Sequence, residues 1–138
     1  MAIVGFNFTK VSIERFSPVK GKINISNNIS IVSVEKTDLT LGSDKQNALK
    51  FGFEFTSDYQ PKVGLIDLRG EVLYLHDEKK IGEIITQWKK DKKISKEVMA
   101  DLLNHTLIKC NIQALILSKE INLPPPIPLP KVKVDNQA

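Results

Sequence analysis

The sequence predicts an α+β domain in which four β-strands are followed by two α-helices and an apolar, proline-rich tail. Three observations predict this. Period-2 alternation of apolar residues fills most of the first 75 positions, a 3.6-residue period replaces it after His76, and four prolines fall within the seven residues 122–128.

The strands are expected at about 4–16, 22–36, 47–57 and 62–75. In the first, Val4, Phe6 and Phe8 alternate on even positions and Val11 and Ile13 on odd ones, so the phase slips once near Thr9–Lys10, as a bulge makes it slip. The stretch SPVKG, Ser17 to Gly21, supplies a turn before Ile23, Ile25, Ile29 and Ile31. Asn27 and Asn28 inside that run fit either a solvent-facing edge or a tight hairpin. The clearest strand is LKFGFEF, which puts Leu49, Phe51, Phe53 and Phe55 on one face. LGSDK before it has one glycine and reads as a turn, without the spacing of a phosphate-cradling loop. The fourth strand ends in Val72–Leu75, an unbroken apolar run expected to be buried on both faces.

Ile81, Ile84, Ile85 and Trp88 follow the spacing of an amphipathic helix over 78–91, closed by KKDKK at the end where its dipole favours cations. A second helix is expected over 95–120, with Ser95 as N-cap and Ile94 and Met99 as a hydrophobic staple. Its first half carries one stripe, Val98, Met99, Leu102 and Leu103. Beyond Thr106 the apolar residues, among them Leu107, Ile108, Ile112, Leu115 and Ile116, go nearly all the way round. One sheet and one other helix cover only part of such a surface, so a homo-oligomer, dimer or tetramer, is expected.

Residues 1–120 thus form one domain and 121–138 a tail. Pro124, Pro125, Pro126 and Pro128 end the helix and favour an extended polyproline conformation, while Ile121, Leu123, Ile127 and Leu129 make the segment too apolar for a solvated linker. The tail is expected to pack on its own domain or on a neighbouring subunit.

Composition narrows the function. The single cysteine, Cys110, excludes an intramolecular disulfide framework and a multi-cysteine zinc site. The N-terminus lacks the pattern of a signal peptide, and no stretch is long and apolar enough to insert in a membrane, so a cytoplasmic protein is expected. No catalytic constellation is evident. Asp101 and His105 share a helix face but have no nucleophile beside them, and the carboxylates Asp67, Glu71, Asp77 and Glu78 lack an apolar partner setting. The chain is read as noncatalytic, without cofactor or metal. Its net charge of +4 comes from lysine, and such a surplus favours acidic partners only if it is focused on one patch. Trp88 falls on the apolar side of its helix and arginines are few, which argues against nucleic acid as the partner.

Several stretches in this order resemble the SecB-type chaperones. FTKVSIER, Phe8 to Arg15, looks like that family's first strand, LKFGFEFT, Leu49 to Thr56, resembles its third, and INLPPPIPLP, Ile121 to Pro130, is similar to its Leu/Pro-rich exit from the last helix. The resemblance implies an antiparallel four-stranded sheet backed by two helices, assembled as a dimer of dimers, with apolar grooves that hold extended or non-native polypeptides. Carried over by position, Trp88 and Ile94, then Leu107, Leu115 and Ile116, then Ile121 and Leu123 would line the groove or the subunit interfaces. Ile127 and Leu129 of the tail join these candidates. Two departures stand out: the family's acidic surface, which docks a translocation motor, is replaced by a basic chain, and its Cys-Pro-rich helix start by Ser95-Lys-Glu-Val.

Overall fold

The computed structural model describes residues 2–130. Met1 and the last part of the tail, 131–138, lie outside the described residues. Four strands, β1 (Ala2–Arg15), β2 (Asn24–Leu41), β3 (Asp44–Gln60) and β4 (Gly64–Leu75), form one antiparallel sheet in the order β1-β4-β3-β2. Helices α1 (Glu78–Asp91) and α2 (Lys96–Glu120) cover one face, α1 against β2 and β3, α2 against β4 and β1.

The phase slip in β1 is a register shift between Phe8 and Lys10 opposite β4, and a second shift lies between Ile3 and Gly5. β2 runs beyond residue 36 because Thr37, Leu39 and Leu41 continue the alternation and pair with Ala48, Gln46 and Asp44. The two-residue connection Gly42–Ser43 closes this hairpin with Gly42 at φ +66°, the left-handed region where glycine carries no Cβ penalty. Asn27 and Asn28 pair with Ser57 and Thr56 inside β2, so they sit in an edge strand and not in a hairpin turn.

The core lies between this sheet face and the helices. Phe51, Phe53 and Phe55 are each at most 1% exposed. Phe6 stacks on Phe53 at 5.2 Å between ring centroids, with Phe8 edge-on to Phe6 at 5.0 Å. Phe53 lies across Gly70 of β4, where a Cβ would stand 2.7 Å from its ring, so glycine makes room for the aromatic cluster. Burying each such ring contributes about 2 kcal/mol. The end of β4 corrects one expectation: Val72 and Tyr74 are buried, but Leu73 and Leu75 are only half-buried, because they face away from the helices.

That outer face carries charge instead. Lys10 bonds Asp67 at 2.9 Å, Arg69 lies 3.3 Å from Asp67 and 3.5 Å from Glu54, and Lys50 lies 3.5 Å from Glu35. These ion pairs balance one another along the strands.

Candidate binding surface

Helix α1 starts at Asp77, whose carboxylate accepts the Lys80 N–H at 2.8 Å; that bond holds its pKa below the ordinary value. It ends at Lys92, in the left-handed conformation at φ 59°, whose N–H donates to Trp88 O. Ser95 occupies the N-cap of α2 as expected by position, but its side chain makes no capping hydrogen bond.

The face that α2 turns to the sheet is built from small and medium residues four apart. Val98, Leu102, Thr106, Cys110, Ala114 and Ser118 are all buried. Burial also disfavours the Cys110 thiolate and pushes its pKa up to about 12, so this sulfur is a packing atom at neutral pH. The bulkier residues of the second half point elsewhere. Leu107, Leu115 and Leu117 are half-buried at the flanks, while Ile108, Ile112 and Ile116 remain 61%, 54% and 50% exposed. Small residues inward let the helix sit close to the sheet, and the large ones are left as a stripe with period four. Asp101 is exposed and His105 half-buried, and among the described residues they form no ion pair; His105 instead leans on Phe6 at 5.8 Å.

A Schellman-type turn ends α2. Asn122 adopts φ 58°, and the Leu123 N–H reaches back to Ser118 O at 2.9 Å. The reversal drops Leu123 onto Gly64, where a Cβ would stand 3.0 Å from the leucine and 2.8 Å from Glu14 O. Leu123 is consequently 6% exposed.

From there the prolyl segment crosses the end of the sheet on its helix side. Tyr59 donates its hydroxyl to Pro124 O at 2.5 Å. Ser57 donates to Asn27 Oδ1 at 2.6 Å, and Asn27 Nδ2 donates to Pro126 O at 2.8 Å. Prolines bring no N–H of their own, so a row of side-chain donors is what the domain has to supply. Burial pushes the Tyr59 phenol up to about 12, which keeps it a donor throughout the neutral range.

Two apolar troughs flank the clamped segment. One, of about 620 Å³, lies between Ile23, Ile25 and Asn27 of the β2 side and Pro126, Ile127 and Leu129 of the tail. The other, of about 420 Å³, lies between Leu115, Ser118 and Lys119 of α2 and Leu123, Pro125 and Leu129. Leu129 belongs to both and is 45% exposed.

Of the residues singled out in the sequence, Leu115, Leu123, Ile127 and Leu129 therefore come together at the troughs. Ile116 lies on the exposed α2 stripe. Leu107 and Ile121 are half-buried against the core, and Ile94 packs against it at the α1–α2 crossover, away from the troughs. Trp88 is half-buried at the end of α1, with the Lys92 ammonium 5.4 Å from its ring. Sequence reasoning missed the clamp, Asn27, Ser57 and Tyr59, and the β2 wall at Ile23 and Ile25. A polar Asn27 on an otherwise apolar alternation was the available signal.

Among the described residues no group of three or more His, Cys, Asp or Glu side chains is placed to hold a metal ion, and no helix is long and apolar enough to cross a membrane. No protein-family model matches the chain, and no curated protein matches it by sequence. Among solved structures it is similar to the SecB-like chaperone Rv1957 of Mycobacterium tuberculosis, captured in complex with a ChAD peptide from the Rv1956 HigA1 antitoxin. The TM-score is 0.56 at 10% sequence identity, over 96% of this chain and 89% of that one. With the same antiparallel four-stranded sheet and helices, and a match that spans nearly the whole of both chains, this chain has a divergent SecB-like fold.

Proposed function

We propose that the protein is a noncatalytic SecB-like chaperone or holdase, a homo-oligomer that holds extended or non-native polypeptides along its apolar troughs without a nucleotide or other cofactor. The observation that carries this reading is the pair of open apolar troughs on either side of the clamped prolyl segment. A monomer rarely leaves contiguous apolar surface of this kind without a binding role. The peptide held by the Mycobacterium protein of the same fold supports a polypeptide as the occupant. The exposed stripe Ile108, Ile112 and Ile116 is assigned to contact between subunits, and the site of action to the cytoplasm.

Light scattering by an aggregating client protein tests the reading. Stoichiometric amounts of the wild type should suppress the signal, and a variant with Leu129→Glu and Ile127→Glu should not. Failure of the wild type to suppress any of several clients would defeat it. A second reading, an interaction subunit that docks one dedicated folded protein partner, draws support from the antitoxin source of the Mycobacterium protein's peptide as regards a dedicated partner. Affinity purification that returns one stoichiometric partner in place of many clients would select it.

A further inference from the structure

We propose that the α1–α2 crossover is a docking site for acidic stretches of polypeptide, so that a segment bearing carboxylates beside apolar residues is gripped by charge as well as by apolar contact. The inference deepens the reading of the protein as a polypeptide holder and rests on it for the class of partner.

The distribution of charge comes first. Residues 89–96 contain five lysines and one aspartate, a local charge of +4, and the remaining chain balances at fifteen bases against fifteen acids. The surplus is therefore concentrated in sequence where α1 ends and α2 begins, with Glu97 directly after it, and such focusing is the condition under which a basic balance selects acidic partners.

The C-terminal end of α1 offsets part of that charge through its dipole, but among the described residues no acidic side chain pairs with it. Lys89, Lys90, Lys92, Lys93 and Lys96 are all exposed, and among the described residues none of them is in an ion pair. Lys10, Lys50, Arg69 and Lys80 each have a carboxylate partner; other exposed lysines such as Lys36, Lys45 and Lys62 are in no ion pair among the described residues either, but nowhere else do five fall within eight residues. The one acid of the run, Asp91, turns its Oδ1 to the Lys93 backbone N–H at 3.0 Å. The left-handed turn at Lys92 joins α1 to α2 within four residues, which keeps the five lysines on one short stretch of chain. The positive end of the 25-residue α2, without a side-chain cap from Ser95, stands opposite the negative end of α1 at this crossover, and Glu97 in its first turn offsets part of it, so the lysines themselves supply the net charge. Like charges on one short stretch of surface repel, and an anion relieves the repulsion.

Apolar surface adjoins the corner, because Trp88, Ile94 and Met99 are half-buried there. A nucleic acid fits the corner less well than a peptide. Lysine gives point charges without the bidentate fork that reads base edges, and the Trp88 ring already carries Lys92 where a base would stack.

Fluorescence anisotropy tests the proposal with three labelled peptides that share one apolar stretch and differ in flanks of Glu, Gln or Lys, with a single-stranded oligonucleotide and inorganic polyphosphate as competitors. The Glu-flanked peptide should bind about tenfold more tightly than the Gln-flanked one at low salt, the effect of a few exposed charge pairs, and lose this advantage near 1 M salt. The variant K89Q/K90Q/K92Q/K93Q should lose the advantage as well. K36Q/K45Q/K62Q/K79Q, with the same net charge, should keep it, thermal melts confirming that both fold. Equal binding of the Glu and Gln peptides, equal loss in both variants, or binding of the oligonucleotide more tightly than any peptide would each overturn the proposal. Tight binding of the Gln-flanked peptide without acid preference defeats the crossover site and leaves the holder reading intact. Binding of the Glu-flanked peptide alone supports the crossover and counts against the apolar troughs.

Discussion

The isoleucine stripe on α2 allows the sharpest quantitative test of assembly. Ile108, Ile112 and Ile116 stand 61%, 54% and 50% exposed in the single chain. Fully burying an isoleucine contributes about 2 kcal/mol, so covering the exposed half of each is worth about 1 kcal/mol. If a two-fold axis lays the stripe against its copy, both chains contribute and the gross gain is about 6 kcal/mol. The single variant Ile112→Gln then removes about 2 kcal/mol per dimer and raises the dissociation constant about thirtyfold. The triple variant I108Q/I112Q/I116Q raises it by about four powers of ten. The same changes touch little of the chain's own core, and its thermal melt should shift only slightly. Sedimentation velocity over a dilution series reads the mass, and circular dichroism checks the fold. A wild type that sediments as a monomer at every concentration would refute the reasoning, and so would a triple variant that assembles as the wild type does.

Three further outcomes follow from the clamp and the sheet. Tyr59→Phe strands the Pro124 carbonyl and costs about 1 kcal/mol; hydrogen exchange at Leu123 and Ile127 should quicken while β3 and β4 stay protected, and unchanged protection would show that the hydroxyl holds nothing. Gly64→Ala drives a methyl into Glu14 O and Leu123, so it should destabilise the fold by about 1–3 kcal/mol in denaturant melts and free the start of the tail; a neutral effect would contradict the close seat. The Asp67 carboxyl is pulled up by burial, but bonds from Lys10 and Arg69 together with their charges carry it below its ordinary value. Its contribution is thus present above the usual carboxyl range and lost as pH falls through the depressed value. Asp67→Asn should lower stability at pH 7 by roughly 0.5–1 kcal/mol, given the half-exposed lysine, and the gap should begin to close near about pH 4 and vanish only below the depressed value; a constant gap at all pH values would rule this out.

Much of the architecture was legible because it is written in local periods. The phenylalanine alternation of β3 and the single slip in β1 are one-dimensional patterns, and the antiparallel sheet with two helices agrees with the fold that the SecB resemblance implies. Strand order was not legible: β1 and β2 are consecutive in sequence yet occupy opposite edges, a choice made by contacts across the whole sheet. Ser95 was a good capping residue by type, but its side chain forms no cap bond in place, and Val72–Leu75 was continuous grease that the sheet divides between two unlike faces. For the candidate surface, the apolar excess of α2 was plain in the sequence, whereas its division was not. Which side of a helix goes inward depends on how near it must come to the sheet, and here the small residues win that position. The donors of the clamp were invisible because Asn27, Ser57 and Tyr59 acquire their role only when a distant segment brings carbonyls to them.

The prolyl crossing has a consequence for the protein's own solubility. Pro124, Pro125, Pro126 and Pro128 offer no backbone donors, and the carbonyls of Pro124 and Pro126 are already engaged by the domain. An incoming sticky chain can lie against this ribbon through side chains, but it finds few main-chain groups there with which to zip into a ladder. This stretch of surface therefore offers little template for a growing ladder, in contrast to the sheet edges at β1 and β2.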